Sequence, residues 1–297
     1  NIFYTLDDIC DILDHSPFIN VLDPKLDNSI HNRLKLIDSF VKEVFLKGCH
    51  IAEHLKFCKE SFFFGRNDFI EHLFFYMKEI SKSNFGKRSY SFILDTAIQT
   101  SFGKNNPFSQ YLDMCVLKDD DFSIFYKLSF PINIIIEKDI ILIFLSIFKY
   151  LWKVKRVEHF LRRLKELKNI DQKNIIIINK WYILIQKLFF YFSYEVIEIE
   201  FINLLKILEN ETFVIDKLRH GLKRLLKNVI KGIFQENNQG KETMEIFLNS
   251  LEQECHNFRK HKTIFNDEHI RTNCLNLMNT LQINMENTSL FNITAFI

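Results

Sequence analysis

Apolar residues recur along the chain at intervals of three, four or seven positions, the spacing of one face of an α-helix. Polar and charged residues fill the positions between them, as expected of helices with one face toward a core. The first stripes, which predict successive amphipathic helices, run through Leu34, Ile37, Val41 and Val44, through Ile51, Leu55 and Phe62, and through Phe69, Leu73 and Met77.

Longer helices are predicted in the second half of the chain. One extends from Asp139 to about Lys168 without Gly or Pro, and a second, with or without a bend, covers Ile175 to Glu209. A third covers Phe213 to Phe234, with Thr212 as its N-cap. Two last helices are expected at about 241–261 and 267–286, and a short helix at Ser91 to Thr100 lies between polar, Gly-containing loops.

The stretch FFFGRNDF at 62–69 predicts a tight turn between two helices. Gly65 permits a left-handed residue at the end of the first helix. Asp68 is expected to cap the start of the next helix.

A different pattern interrupts the helices at 126–136, in the sequence YKLSFPINIII. Pro131 stops a helix and disfavours helical backbone at Phe130. The apolar run on either side of it predicts a short extended segment. The sequence therefore predicts an all-α protein, an elongated bundle of long helices with one extended, proline-containing segment near 126–136.

Composition agrees with long helices, because 297 residues include only 7 Gly and 4 Pro. The formal net charge of +2 provides no overall field that would attract nucleic acid. Six scattered cysteines without CxxC pairs are expected to be reduced thiols of an intracellular protein. The apolar run at 140–148 is too short to cross a bilayer, which predicts a soluble protein without a membrane span.

Short motifs for nucleotide, zinc or acyl chemistry do not occur, so neither catalysis nor a cofactor is expected. Cys49, His50, His54 and Cys58 could form a metal site only with ligands from elsewhere. His50 and Cys58 would be about 12 Å apart along one helix, so a packed helix is the preferred interpretation.

Two helices carry many basic residues, one at 149–165 and one at 218–232. A nucleic-acid groove is conceivable for each. However, acidic residues balance the total charge and few aromatic residues stand among the basic ones as stacking platforms. A solvated face is therefore favoured. If the face has a function, contact with another protein is the favoured one.

Five blocks resemble, in order and spacing, the gamma-tubulin complex component family. The matching residues are His54, Leu55, Phe62, Phe64, Asp68 and Phe69 in 45–77; Tyr126, Leu128, Phe130 and Pro131 in 126–136; Phe148, Leu151, Lys155, Arg156, Glu158 and Leu161 in 147–164; Tyr191, Val196, Ile197 and Glu198 in 189–210; and Ile215, Leu218, His220 and Leu225 after them. The blocks extend over most of 34–234.

The resemblance implies that 1–297 is the C-terminal, gamma-tubulin-binding helical domain of such a component. Residues 1–30 would be an incoming segment. Because the chain begins at Asn1, it is expected to be a piece of a longer protein, with the family's N-terminal helical half absent. The expected partners are gamma-tubulin and other components of the complex, at the spindle pole or another cytoplasmic microtubule-organising centre. GTP would belong to the tubulin.

Surface turns at the ends of a bundle are the natural contact points. The predicted gamma-tubulin-binding residues are Arg66, Asn67 and Asp68 in the first turn and Lys127, Ser129 and Asn133 around the proline. Phe130 and Pro131 are expected to set the shape of their turn. Two alternatives stay open, a helical scaffold or adaptor without tubulin contact and a nucleic-acid-binding helical domain.

Overall fold

A computed structural model describes residues 24–80, 88–116, 122–167, 170–209, 215–261 and 265–282. Its helices are α1 (Pro24–Glu43), α2 (Ile51–Phe62), α3 (Asn67–Ile80), α4 (Arg88–Phe102), α5 (Lys138–Lys165), α6 (Gln172–Phe190), α7 (Ile199–Glu209), α8 (Ile215–Gly232), α9 (Asn238–His261) and α10 (Glu268–Gln282). The elongated all-α fold predicted from the apolar spacing is confirmed.

The predicted helices of the second half agree with the structure within a few residues. The region expected at 175–209 is one helical run in which eight residues of π-helix, Tyr191–Glu198, join α6 to α7. A shorter π-helical turn, Val44–Gly48, follows α1. Thr212 and residues 283–286, which the predictions included, lie outside the described residues.

Helix α5 is the centre of the packing. It contacts α2, α6, α8 and α9 as well as the strand β2 (Phe122–Tyr126). Phe144, Phe148, Leu151 and Leu161 are buried along it. The consecutive residues Tyr150, Leu151 and Trp152 are also buried and point to different sides of the helix, as expected of a helix enclosed by other elements.

Helix α1 differs from its prediction in one respect. It is helical as expected, but Leu34 and Ile37, assigned by their spacing to a core-facing stripe, are 52% and 57% exposed. Within the part of the chain that the structure describes, the core begins instead at Phe45, just after α1. Periodicity predicts a helix from its own residues, whereas burial also requires a neighbouring element on that side.

An antiparallel hairpin, unforeseen in the sequence, stands between α4 and α5. Strand β1 (Leu112–Val116) pairs with β2 in a register that places Leu112 opposite Tyr126 and Met114 opposite Ile124. Leu112, Met114, Ile124 and Tyr126 are all buried. The hairpin thus covers one side of α5 with its inward face.

The extended backbone expected at 126–136 is confined to the start of that stretch, where Lys127 continues the hairpin after Tyr126. Tyr126 ends β2, whereas Ile132–Ile134 form a 3₁₀ turn after the cis Phe130–Pro131 peptide bond. Within this run Ile132, Ile135 and Ile136 are buried. Positions i, i+3 and i+4 face the same side only in a helical turn, so packing against the core favours that conformation over an extended one.

One described helical stretch, Gln172–Leu208, is long and apolar enough to cross a membrane by length and composition alone. The sequence prediction did not foresee this, because it considered only the shorter apolar run at 140–148. A core helix meets the same criteria. Ile178, Trp181, Ile185 and Phe192 on the inward side of this stretch are buried in the core.

The predicted reduced state of the cysteines agrees with the described thiols. Cys49, Cys58, Cys255 and Cys274 are free, and all but Cys49 are buried. Burial raises the pKa of the Cys274 thiol to about 12, which keeps it protonated and unreactive near neutral pH.

Candidate interaction surface

The turn between α2 and α3 is tight, as predicted, but its geometry differs from the prediction in two details. Phe64, not Gly65, has the left-handed backbone, with φ of 58°. A Cβ on Gly65 would lie 3.2 Å from the carbonyl oxygen of Lys59, so close backbone approach favours glycine there. Helix α3 begins at Asn67, which places Asp68 in its first turn instead of at the cap.

We call residues 63–68 the arginine turn. Its three predicted contact residues are at the surface, with Asn67 and Asp68 exposed and Arg66 half-buried. The guanidinium of Arg66 lies 5.0 Å from the centre of the Phe102 ring, and its Nε donates to Asp68 Oδ1 at 3.3 Å. Asp68 Oδ1 also accepts the backbone N–H of Phe69 at 3.0 Å. Arg66 and Asp68 therefore hold the turn together as well as presenting charge.

The second predicted group lies in residues 127–134, which we call the proline turn. The N–H of Lys127 donates to the carbonyl of Tyr111 at 2.7 Å, extending the hairpin by one bond. The N–H of Asn133 donates to the carbonyl of Ser129 at 3.3 Å across Pro131. These backbone bonds fix the turn while leaving the side chains of Lys127, Ser129 and Asn133 exposed.

Lys127 already has a partner within the hairpin. Its Nζ forms an ion pair with the carboxylate of Asp113 on β1. The hydrogen bond from Lys127 lowers the pKa of Asp113 below its ordinary value. Lys127 is exposed and Asp113 is half-buried at the surface, so the pair contributes little to stability and stays accessible to a second partner.

Phe130 was expected to set the shape of its turn, and its side chain does not pack against the core. Its side chain is 78% exposed, more than the other large apolar side chains found exposed among the described residues. It stands on a turn fixed by backbone hydrogen bonds, between Ser129 and the exposed Asn133, and is therefore accessible to a partner. The available sequence signal was an aromatic residue between Ser129 and Pro131 in a predicted surface turn.

The two turns are anchored on the same aromatic cluster. The rings of Phe62, at the end of α2, and Tyr126, at the start of the proline turn, have centroids 6.3 Å apart. His54 Nδ1 lies 2.6 Å from the hydroxyl of Tyr126, which joins α2 to β2 a second time. Both turns are therefore held next to α2. The side chains of Arg66 and Lys127 contact different residues, Phe102 and Asp113.

The metal-site alternative has no geometric support. Helix α2 begins at Ile51, and His50 before it has left-handed backbone, so Cys49 and His50 precede the helix that was expected to carry them. No group of three or more His, Cys, Asp or Glu side chains within the described ranges could hold an ion. His54 serves packing through Tyr126, as the preferred interpretation held.

The sequence matches the family described as gamma tubulin complex component C-terminal over residues 51–289. This match covers well over half of the chain, so the protein belongs to that family. Four of the five resembling blocks lie wholly within the matched residues, and the matching residues of the first block, from His54 to Phe69, lie within them too.

Two curated relatives support the same assignment. Spindle pole body component 98 of Dictyostelium discoideum is 25% identical over 224 residues, which is 66% of this chain and 27% of the relative. Spindle pole body component alp6 of Schizosaccharomyces pombe is 28% identical over 170 residues, 52% of this chain and 19% of the relative. The chain therefore spans only a fraction of the length of these relatives.

Proposed function

We propose that this chain is the part of a gamma-tubulin complex component that binds gamma-tubulin and positions it to template microtubule nucleation. The observation that carries the proposal is the family match over residues 51–289. The place of this activity is the cytoplasmic microtubule-organising centre, since both relatives are named as spindle pole body components. Other components of the complex are the further partners we propose.

The proposed mechanism is positional and makes or breaks no covalent bond. A template must hold its subunits at set distances, so the domain that carries each subunit has to resist bending. The central helix α5 packs against four other helices and the hairpin. Close-packed interiors deform little, which suits a fixed mount. In this mechanism GTP is bound by the tubulin and the chain itself needs no cofactor.

We propose the proline turn as the centre of the gamma-tubulin contact, with the arginine turn beside it. Phe130 is the anchor, because a large exposed aromatic side chain gains more from burial in a partner than any other group of these turns. Lys127, Ser129 and Asn133 surround it with polar and charged groups that can form the rim of an interface. Arg66, Asn67 and Asp68 add charged and amide groups from the neighbouring turn.

The test is capture of purified gamma-tubulin by the immobilised chain. Phe130→Ala is expected to weaken capture by about tenfold or more, as truncation of an aromatic anchor does. The matched control is Phe92→Ala, because Phe92 is 68% exposed but lies on helix α4, outside both turns. We expect this control to bind within about twofold of the unaltered chain, since an exposed side chain away from an interface contributes little.

Two results would contradict the proposal at different levels. Full capture by the Phe130→Ala chain would remove the proline turn from the contact and leave the function intact. No capture by the unaltered chain would reject gamma-tubulin binding itself and favour a helical scaffold without tubulin contact. Circular dichroism spectra of each variant show whether the fold is retained.

A further inference from the structure

Two basic helix faces were recognised in the sequence, and the structure treats them differently. On α5, Arg156 pairs with Glu252 at 2.8 Å and Arg162 pairs with Glu71 at 2.7 Å. Lys155 pairs with Glu158 at 2.8 Å, and Lys165 lies 4.1 Å from the centre of the Tyr182 ring. Four of the seven Lys and Arg residues at 149–165 are therefore engaged within the fold.

Helix α8 presents the opposite case. Its apolar side, from Leu218 to Val229, is buried in the core. On the other side, five exposed basic residues follow one another at intervals of three and four positions. We call them the basic stripe: Lys217, His220, Arg224, Lys227 and Lys231. At about 1.5 Å per residue the stripe is about 21 Å long.

The basic stripe is not neutralised within the fold. Two other cations of α8, Arg219 and Lys223, form ion pairs with Glu137 at the start of α5, and Arg219 also pairs with Asp216. No side chain of the stripe forms an ion pair with any acidic residue in the described ranges. The acidic side chains that pair with α8, Glu137 and Asp216, are thus engaged by Arg219 and Lys223, and the exposed stripe forms no ion pair with them.

The kind of partner follows from what surrounds the charges. Insertion into a membrane surface needs an exposed apolar face beside the cations, and the apolar face of α8 is buried. Binding of single-stranded nucleic acid uses aromatic side chains as stacking platforms, and the stripe has none. An extended polypeptide rises about 3.3 Å per residue, so six or seven residues of it match the length of the stripe.

We propose that the basic stripe of α8 binds an acidic polypeptide segment of another protein, in extended conformation, along the helix. This interaction goes beyond the proposed contact with gamma-tubulin, because it uses neither the arginine turn nor the proline turn. The attraction is between exposed charges and weakens as ionic strength rises.

The experiment measures binding of a fluorescein-labelled hepta-glutamate peptide to the chain by fluorescence anisotropy, at low and at raised ionic strength. We expect saturable binding at low ionic strength. Arg224→Glu with Lys227→Glu should weaken peptide binding by about tenfold or more. The introduced carboxylates at the centre of the stripe then repel the glutamates of the peptide. The neutral pair Arg224→Gln with Lys227→Gln should give an intermediate loss.

The matched control is Lys56→Glu with Lys241→Glu, which changes the net charge equally at exposed positions on α2 and α9. If binding depends on the charges of α8 itself, this control should bind the peptide within about twofold of the unaltered chain. Equal weakening by this control, or no binding to the unaltered chain, would overturn the proposal.

Labelled oligothymidylate and phosphatidylserine-containing vesicles are measured in parallel. Tighter binding of either, lost in the Arg224/Lys227 variant, would replace the acidic polypeptide as the partner.

Discussion

At the residue scale, His54 shows how burial changes the meaning of a side chain. In the sequence it belongs to a group that suggests metal binding, whereas in the structure it is 2% exposed and lies among the rings of Phe108, Tyr111 and Tyr126. In the neutral ring with its proton on Nε2, Nδ1 accepts the Tyr126 hydroxyl. The residue is therefore a polar link between α2 and the hairpin.

This link predicts a pH dependence of stability. Burial lowers the pKa of His54 from 6.5 to about 4. Between these values the unfolded chain binds a proton that the folded chain does not, so the free energy of unfolding should decrease as pH falls from 7 to 5. Burial lowers the pKa of His159 to about 4 as well, so that residue contributes in the same direction.

Urea denaturation at pH 7 and pH 5 tests this. In His54→Asn, the difference in unfolding free energy between the two pH values should be about half of that in the unaltered chain, because one of the two histidines with a lowered pKa is gone. His261→Asn is the control, since His261 is exposed at the end of α9 and water surrounds it in both states. An undiminished pH difference in the His54 variant would contradict the assignment.

At the element scale, the end of α8 is fitted to the π-helical segment Tyr191–Glu198. A Cβ on Gly232 would lie 2.5 Å from Cγ1 and 2.9 Å from Cγ2 of Val196 in that segment. Valine has little freedom at χ1, so neither methyl group can easily move away. Glycine at 232 is therefore required by the packing of one element on another.

Gly232→Ala should lower the free energy of unfolding by about 1–3 kcal/mol, the usual effect of overpacking a core contact. Gly221→Ala on the same helix is the comparison. Its Cβ would meet mainly Cδ1 of Ile207 at 2.6 Å, the movable end of a longer side chain. There the helix propensity gained by replacing glycine, about 1 kcal/mol, offsets the crowding. Equal effects of the two substitutions in urea denaturation would argue against this packing.

The elements also show where sequence patterns stop being informative. The run of isoleucines at 132–136 looks extended as a string of letters, because β-branched residues favour strands. In the fold, Ile132, Ile135 and Ile136 are buried together on a 3₁₀ turn, which their spacing allows as well. Which conformation is adopted depends on where α5 lies, and a local pattern holds no information about that.

At the scale of the whole molecule, α5 contacts elements that precede it in the chain, α2 and β2, and elements that follow it, α6, α8 and α9. Leu151 is completely buried near its middle, whereas Leu142, on the same helix, is 62% exposed. Leu151→Ala should lower the free energy of unfolding by about 2–5 kcal/mol, as expected for a cavity in a close-packed core. Leu142→Ala should change it by less than about 0.5 kcal/mol.

Unfolding of the Leu151 variant is best followed both by far-ultraviolet circular dichroism and by tryptophan fluorescence, because Trp152 lies on α5 and Trp181 on α6. One shared transition at lower urea concentration is expected if α5 supports the whole domain. If only one of the two signals, circular dichroism or tryptophan fluorescence, changed at that urea concentration, the elements around α5 would fold independently.

The sequence by itself determined the positions of the helices, the turn at 62–69, the break at Pro131 and, through the order of five blocks, the family. These features depend on neighbouring residues, because helical spacing, glycine and proline act within a few positions of the chain. Only the tertiary structure decided that Phe130 is exposed and that Phe64 takes the left-handed backbone. It also decided that four basic residues of α5 are engaged within the fold, whereas the stripe on α8 forms no ion pair with acidic residues in the described ranges. Burial and ion pairing depend on elements distant in sequence, such as Glu71 beside Arg162, and no local pattern encodes which of them will meet.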